Sequence, residues 1–162
     1  PTYSIHVRGI EEYVLPTVQR HGMGTLTYSP LSGGWLSGKW RKDAASAPTS
    51  QARPKARFDM STPANQRRRA MRAAPPAPLA EQNDMTLIEM AIAFVINHPG
   101  VTSAIVGPRT MEQLDSYLPA ATLTLPTEVL DRIDEIVTPS VTVNPDDNSY
   151  GMHELTPANR RR

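Results

Sequence analysis

The residues Gly107-Pro108-Arg109-Thr110-Met111-Glu112-Gln113 combine a strand exit, a guanidinium and a helix start. The apolar, β-branched run Val101–Val106 leads into them, and Thr110-x-x-Gln113 is a capping pattern that opens a helix. A helix N-terminus leaves backbone N–H groups without intrahelical partners. Those donors and the positive end of the helix dipole favour an anion. Arg109, at the lip, adds a bidentate pair of donors. The anion that suits this chemistry is a phosphate. Its expected context is a phosphate-bearing cofactor at the C-terminal edge of a parallel sheet.

The elements that must position these residues follow from the spacing of apolar side chains. Ile10, Val14, Thr17, Val18 and His21 recur at helical spacing, widened by Tyr13 and Leu15, and Gly22 and Gly24 stop that helix. Thr25–Tyr28 reads as a short strand. Thr86-x-x-Glu89 is a capping box opening a helix over Leu87–Asn97, which is apolar nearly all round and so buried. His98-Pro99-Gly100 ends it, and Val101–Val106 reads as a buried strand. A third helix is expected over Met111–Leu118. A fourth, over Thr127–Val137, places Leu130, Ile133, Ile136 and Val137 on one face. Strands separated by helices imply a parallel sheet with helical crossovers. Two strands cannot close a barrel and need cover on both faces. The pattern is that of a piece cut from a larger α/β fold, and the start Pro-Thr-Tyr fits a chain that begins inside it.

Composition narrows the function classes. The chain has 162 residues, 17 Lys and Arg against 16 Asp and Glu, and no cysteine. Disulfides and thiolate chemistry are thereby excluded, and no polyelectrolyte partner is implied. No apolar run has the length of a membrane span, and no charged n-region with an apolar h-region opens the chain. A cytoplasmic setting with no membrane partner is expected. Ten of the 17 basic residues lie in 39–72, against only Asp43 and Asp59. This is a Pro-rich basic loop that extends over 39–84. Asn65–Arg72 can start a helix within it, which Pro75, Pro76 and Pro78 should interrupt. Arg67-Arg68-Arg69 lacks interleaved aromatics, so it reads as a solvated face and no nucleic acid is expected. No set of histidines and carboxylates has metal-ligand spacing. His21 and His98 sit at helix C-termini, where charge favours the dipole. Residues 139–162 read as a polar loop and tail.

These pieces together resemble the C-terminal portion of an aldo-keto reductase. The resemblance rests on Tyr3-Ser-Ile-x-Val-Arg-Gly-Ile-Glu11, Tyr28-Ser-Pro-Leu-Ser-Gly-Gly-Trp-Leu-Ser-Gly-Lys39, Arg57-Phe58, Asn65-Gln66-Arg67, Met85–Gly100 and Ala104–Leu114, and it covers residues 3–137. It implies a partial barrel domain over 1–138, cut from an eight-stranded (β/α) barrel that binds NADP(H) at the C-terminal ends of its strands. The fold class expected is therefore α/β. The chain should supply the last two βα units of a (β/α)8 barrel with a C-terminal helix and tail, and should not close the barrel alone. Thr25–Tyr28 resembles the seventh strand and Ser103–Val106 the eighth. The family's catalytic Asp, Tyr, Lys and His lie on the first four strands, so the resemblance assigns no catalytic residue to this chain.

The resemblance also assigns the cofactor contacts. Tyr28 is similar to the ring that stacks on nicotinamide. Ser29, Pro30, Leu31 and Gly33 match the loop around the pyrophosphate, with Lys39 as its basic residue. Gly107, Pro108, Arg109 and Gln113 match the 2′-phosphate and adenine region, where an arginine favours NADP over NAD. An acidic or amide residue followed by Asn is usual one turn further on; here Ser116 and Tyr117 stand there, and Tyr117 can stack on adenine instead. Arg53 and Arg57 are both candidates to clamp the cofactor, and His6 lies near the expected mouth. The implied function is the cofactor-binding side of a carbonyl reductase that acts on a small carbonyl substrate. The alternatives are a truncated, non-catalytic nucleotide-binding or barrel-interacting protein and a decayed fragment. The partners expected are a second copy of the chain or a missing N-terminal half.

Overall fold

A computed structural model of the chain describes residues 1–38, 59, 61–67 and 76–147. Its sheet has two parallel strands, β1 (Leu26–Tyr28) and β2 (Ser103–Ile105). Leu26 lies opposite Ser103, Thr27 opposite Ala104 and Tyr28 opposite Ile105. Pro1–Tyr3 extends the sheet on the other side of β1. Thr2 bridges Tyr28 in parallel, Tyr28 N donates to the Pro1 carbonyl at 3.0 Å, and Tyr3 N donates to the Tyr28 carbonyl at 3.2 Å. The order across the sheet is Pro1–Tyr3, β1, β2. Residues 1–3 are too few to show alternation, so apolar spacing does not reveal them as a strand.

Among the described residues five α-helices accompany this sheet: α1 (Val14–Arg20), α2 (Pro76–Gln82), α3 (Leu87–Ile96), α4 (Met111–Asp115) and α5 (Thr127–Ile136). Residues 63–67 add a helical turn. The central element is α3. Thr86 Oγ1 accepts from Glu89 N at 3.1 Å and a Glu89 carboxylate oxygen accepts from Thr86 N at 2.6 Å, completing the expected capping box. Leu87 and Met90–Val95 are buried, and α3 packs against β2, α2 and the 3-10 turn Leu118–Thr122. Asn97 then ties the helix end to the next layer. Its Nδ2 donates to the Leu123 carbonyl at 3.0 Å and its Oδ1 accepts from Leu125 N at 2.8 Å. Gly100 lets α1 approach: a Cβ there would stand 3.3 Å from Leu15 Cβ and 3.4 Å from Gln19 Cγ.

Several expectations change. The helix expected from Ile10 to His21 is a 3-10 turn at Gly9–Glu11 followed by α1. Pro76 and Pro78 lie in the first turn of α2, where the missing N–H has no intrahelical acceptor anyway; residues 68–75, across which the helix from Asn65 is expected to be interrupted, lie outside the described residues. Pro75 lies outside the described residues. The helix expected over Met111–Leu118 stops at Asp115, and Leu118–Thr122 continues as a 3-10 turn. Pro119 disfavours an α conformation at Leu118. On α5, Val129, Ile133 and Val137 are buried, and Leu130 and Ile136 only flank them. The strand read as buried is not: Ser103 and Ile105 are exposed and Ala104 is half-buried. One face of the sheet is packed and the other is open. Residues 139–147 pack back on the N-terminal segment, while 148–162 lie outside the described residues. Thr142 forms an antiparallel bridge to Val7, and Val143 N donates to the His6 carbonyl at 2.9 Å.

A buried polar network locks this strap in place. Arg8 is 4% exposed. Its guanidinium donates to Glu11 at 2.8 Å, to Asp134 at 2.7 Å and to the Val137 carbonyl at 2.6 Å, and it lies over the Phe94 ring. Glu11 also accepts from Tyr3 Oη at 2.6 Å and from Ser140 N at 2.9 Å. Burial lowers the guanidinium's proton affinity, but the hydrogen bonds and charges of Glu11 and Asp134 outweigh it and leave the pKa raised. Burial, followed by the charge and hydrogen bond of Glu11, holds the Tyr3 phenol well above its ordinary range.

Candidate cofactor site

Parallel strands end at one edge, so the loops after Tyr3, Tyr28 and Ile105 all leave from the same side of the sheet. Tyr28 closes β1 and is 40% exposed. Its register partner Ile105 closes β2. The loops from these two residues are the ones the sequence singles out.

The loop after Tyr28 is unusually rich in left-handed backbone. Ser29, Ser32, Gly33 and Gly34 have φ of 61°, 49°, 69° and 101°. For the two serines this conformation costs about 1–2 kcal/mol each. Trp35 and Leu36 are fully buried and anchor the loop, Pro30 is buried, and Leu31 packs on the core. Free backbone donors are expected here, but the loop uses many of its own. Ser32 N, Gly34 N, Leu36 N and Ser37 N donate to the carbonyls of Ser29, Leu31, Leu31 and Gly34 at 2.8 to 3.2 Å. Ser32 Oγ is buried without a hydrogen-bond partner, a state that calls for an explanation in a folded protein. Nothing in the sequence pattern singles it out. Lys39, Arg53 and Arg57 lie outside the described residues.

The loop after Ile105 presents Gly107, Pro108 and Arg109. Gly107 is exposed, and a Cβ there would meet nothing within 4 Å. The Arg109 side chain is exposed and forms no ion pair with a described residue. The expected cap by Thr110 forms, but the Gln113 side chain reaches back to Arg109 N. Gln113 Oε1 accepts from Arg109 N at 2.8 Å, and Thr110 Oγ1 accepts from Gln113 N at 3.2 Å. Two of the donors counted on for an anion are therefore used, and the Gln113 amide is committed to the turn. With only five residues in α4, the helix dipole adds little. The cationic chemistry of this loop rests on the guanidinium itself. Ser116 caps α4 by donating its hydroxyl to the Gln113 carbonyl at 2.8 Å, and Tyr117 is half-buried.

Two histidines differ from their expected settings. His6 is fully buried beneath the strap rather than open at a mouth. His98 Nδ1 accepts from Gly100 N at 3.0 Å, and its ring meets the Tyr3 ring edge-on. Burial lowers the His98 pKa, so the imidazole is held neutral and does not act as a helix-end cation. Among the described residues no group of three or more His, Asp or Glu could hold a metal ion, and no helix is long and apolar enough to cross a membrane.

The Aldo/keto reductase family profile matches residues 1–138. The chain belongs to that family. It is 31% identical over 134 residues to the uncharacterized oxidoreductase YrpG of Bacillus subtilis, covering 83% of this chain and 38% of the relative. It is 29% identical over 146 residues to a probable voltage-gated potassium channel subunit beta of Arabidopsis thaliana, covering 85% and 42%. A glycerol dehydrogenase from Gluconobacter oxydans shares the fold with a TM-score of 0.72 at 24% identity, over 93% of this chain and 45% of the neighbour. The chain thus spans about two-fifths of the length of the curated relatives it matches.

Proposed function

We propose that this chain forms the cofactor-binding, C-terminal portion of an NADP(H)-dependent aldo/keto reductase that interconverts a carbonyl compound and an alcohol. The observation that carries the reading is the exposed Tyr28 ring at the end of β1, between the left-handed Ser29–Gly34 loop and the Val106–Arg109 exit. When bound, the nicotinamide cofactor supplies the hydride. Tyr28 offers an aromatic face for the nicotinamide. Ser29, Pro30, Leu31 and Gly33 shape the turn around the pyrophosphate, and the orphaned hydroxyl of Ser32 supplies a buried polar group toward it. Lys39 adds charge to the same loop. Arg109, with Gly107 and Pro108 holding the chain close, receives the 2′-phosphate that separates NADP from NAD. Gln113 steadies the Arg109 turn through its bond to Arg109 N instead of reading adenine. The name of one relative, an uncharacterized oxidoreductase, supports redox chemistry. An NADPH-rich cytoplasm suits such a protein.

On this reading the general acid comes from strands other than those described here, so this chain on its own should bind cofactor without turning over substrate. A missing general acid removes on the order of 10²–10⁴ in rate, and the absent strands remove the geometry for hydride transfer as well. Calorimetric titration with NADPH should show saturable binding that Tyr28→Ala weakens. Oxidation of NADPH with a reactive aldehyde should stay at background. The reading fails if binding is absent up to about 1 mM, if Tyr28→Ala leaves it unchanged, or if the chain alone turns over aldehyde in a Tyr28-dependent way.

A further inference from the structure

We infer that Tyr3 and Glu11 are positioning residues: the hydrogen bond between them fixes how the Tyr28 ring is presented at the cofactor site. The inference rests on the reading of Tyr28 as the platform for nicotinamide. Tyr28 ends β1, and Ser29 turns left-handed at φ 61° directly after it. Strand order therefore stops at the residue whose ring must be aimed. On one side its register partner is Ile105. On the other, Tyr28 N donates to the Pro1 carbonyl at 3.0 Å and Tyr3 N donates to the Tyr28 carbonyl at 3.2 Å. That carbonyl belongs to the planar peptide that joins strand to turn, so Tyr3 N helps to set the plane in which it lies.

Tyr3 is itself held at both ends. It is fully buried, with its ring tilted against Phe94 at 5.6 Å and edge-on to His98 at 5.8 Å between centroids. Its hydroxyl donates at 2.6 Å to a Glu11 carboxylate oxygen that also accepts from Arg8 Nε at 2.8 Å. The other Glu11 oxygen accepts from Ser140 N at 2.9 Å. Hydrogen bonds to a carboxylate are short and among the strongest in proteins. Thr2 bridges Tyr28, so alternation sends the neighbouring Tyr3 side chain to the opposite, packed side of the sheet. The hydroxyl of Tyr3 is thus anchored in the packed layer while its amide holds the backbone of Tyr28. A close-packed interior passes a shift at the hydroxyl on to the amide. The aim of the Tyr28 ring then depends on Glu11, which touches no cofactor. A purely structural role makes a different forecast: the fold loosens, and every part of the cofactor loses affinity together.

The test uses the full 162-residue chain. Tyr3→Phe removes the hydroxyl and keeps the ring against Phe94 and His98. In ligand-free protein carrying isotope-labelled tyrosine, the Tyr28 ring signals, assigned through Tyr28→Phe, should shift or broaden in Tyr3→Phe. Calorimetric titration then compares NADPH with 2′-phospho-ADP-ribose, which keeps adenine and the phosphates and lacks nicotinamide. Tyr3→Phe should weaken NADPH roughly 3- to 30-fold and leave the fragment within about twofold. Glu11→Gln keeps shape and an acceptor but loses the charge. It should repeat the selective loss in smaller measure, and it decides the matter if Tyr3→Phe does not fold. Thr86→Ala removes the cap of α3 away from this path and should change neither the ring signals nor the ratio of the two affinities. The inference is overturned if the Tyr28 ring signals stay unchanged, if both ligands weaken alike, or if Thr86→Ala produces the same selective loss. A parent chain that binds neither ligand sinks the cofactor reading alone, and the ring signals still decide whether Tyr3 and Glu11 place Tyr28.

Discussion

Arg109 carries its guanidinium in solvent while its backbone N–H is fixed by Gln113. Charge and position are thus set by separate groups, which allows a clean test of cofactor choice. Arg109→Ala should weaken NADP(H) by roughly 10- to 150-fold, the value of a charge-assisted hydrogen bond, and NAD(H) much less. Lys39→Ala should weaken both cofactors alike, because both carry the pyrophosphate. Titration of the four combinations shows the contrast, and equal losses in Arg109→Ala would move the 2′-phosphate elsewhere. His98 gives a pH test. Its folded pKa lies below the ordinary 6.5, so the folded form prefers the neutral ring that accepts from Gly100 N. That contribution is complete above the ordinary value and is lost as pH falls below it toward the folded value. His98→Asn keeps an acceptor without the titration. Its urea midpoint should therefore fall less between pH 7 and 5 than that of the parent chain, and identical falls would refute the assignment. Residue types at Tyr28 and Arg109 were legible from the sequence. The fate of Gln113 was not, because a side chain able to bind a ligand or cap a turn is decided by local geometry.

Helix α3 was the most legible element, since its capping box and its apolar run are both local in sequence. The strap over 139–147 was illegible for the opposite reason. Its bridge to Val7 and its bond to His6 depend on partners more than a hundred residues away, and its own composition is polar. Helix α2 shows why proline alone is a poor guide to a helix break: position in the first turn, not the residue type, decides whether proline is tolerated. The Arg8 and Glu11 spacing was visible, but Asp134 and Ser140 as their partners were not. Glu11→Ala tests how far this network binds the elements together. It would strand a buried guanidinium with only Asp134 and the Val137 carbonyl, and remove the acceptor for Ser140 N. A loss of about 3 kcal/mol is expected, read as a lower urea midpoint of the far-UV signal. Arg8→Met in the same background should recover part of it, since no unpaired cation then remains. No recovery would mean that the strap contact dominates.

At the scale of the whole molecule, the open face makes the isolated chain an incomplete solution to burial. Leu26, Tyr28, Ile105 and Val106 leave an apolar surface in water. The chain alone should bind an apolar dye, and a monomer that binds none would contradict this. The ties of Arg8 and Glu11 have a consequence in time. They span 126 and 129 residues, so Asp134 does not yet exist when Arg8 is made. At about 5–20 residues per second, synthesis leaves Arg8 waiting roughly 6–25 seconds for it. A chain ended before Thr127 imitates that interval. The amides of residues 4–11 in such a chain should exchange with solvent nearly as fast as in an unfolded peptide, and strong protection there would show that the segment secures itself. During translation, the segment around Arg8 thus leaves the ribosome well before the residues that fasten it, and for those seconds it is open to chaperones and proteases.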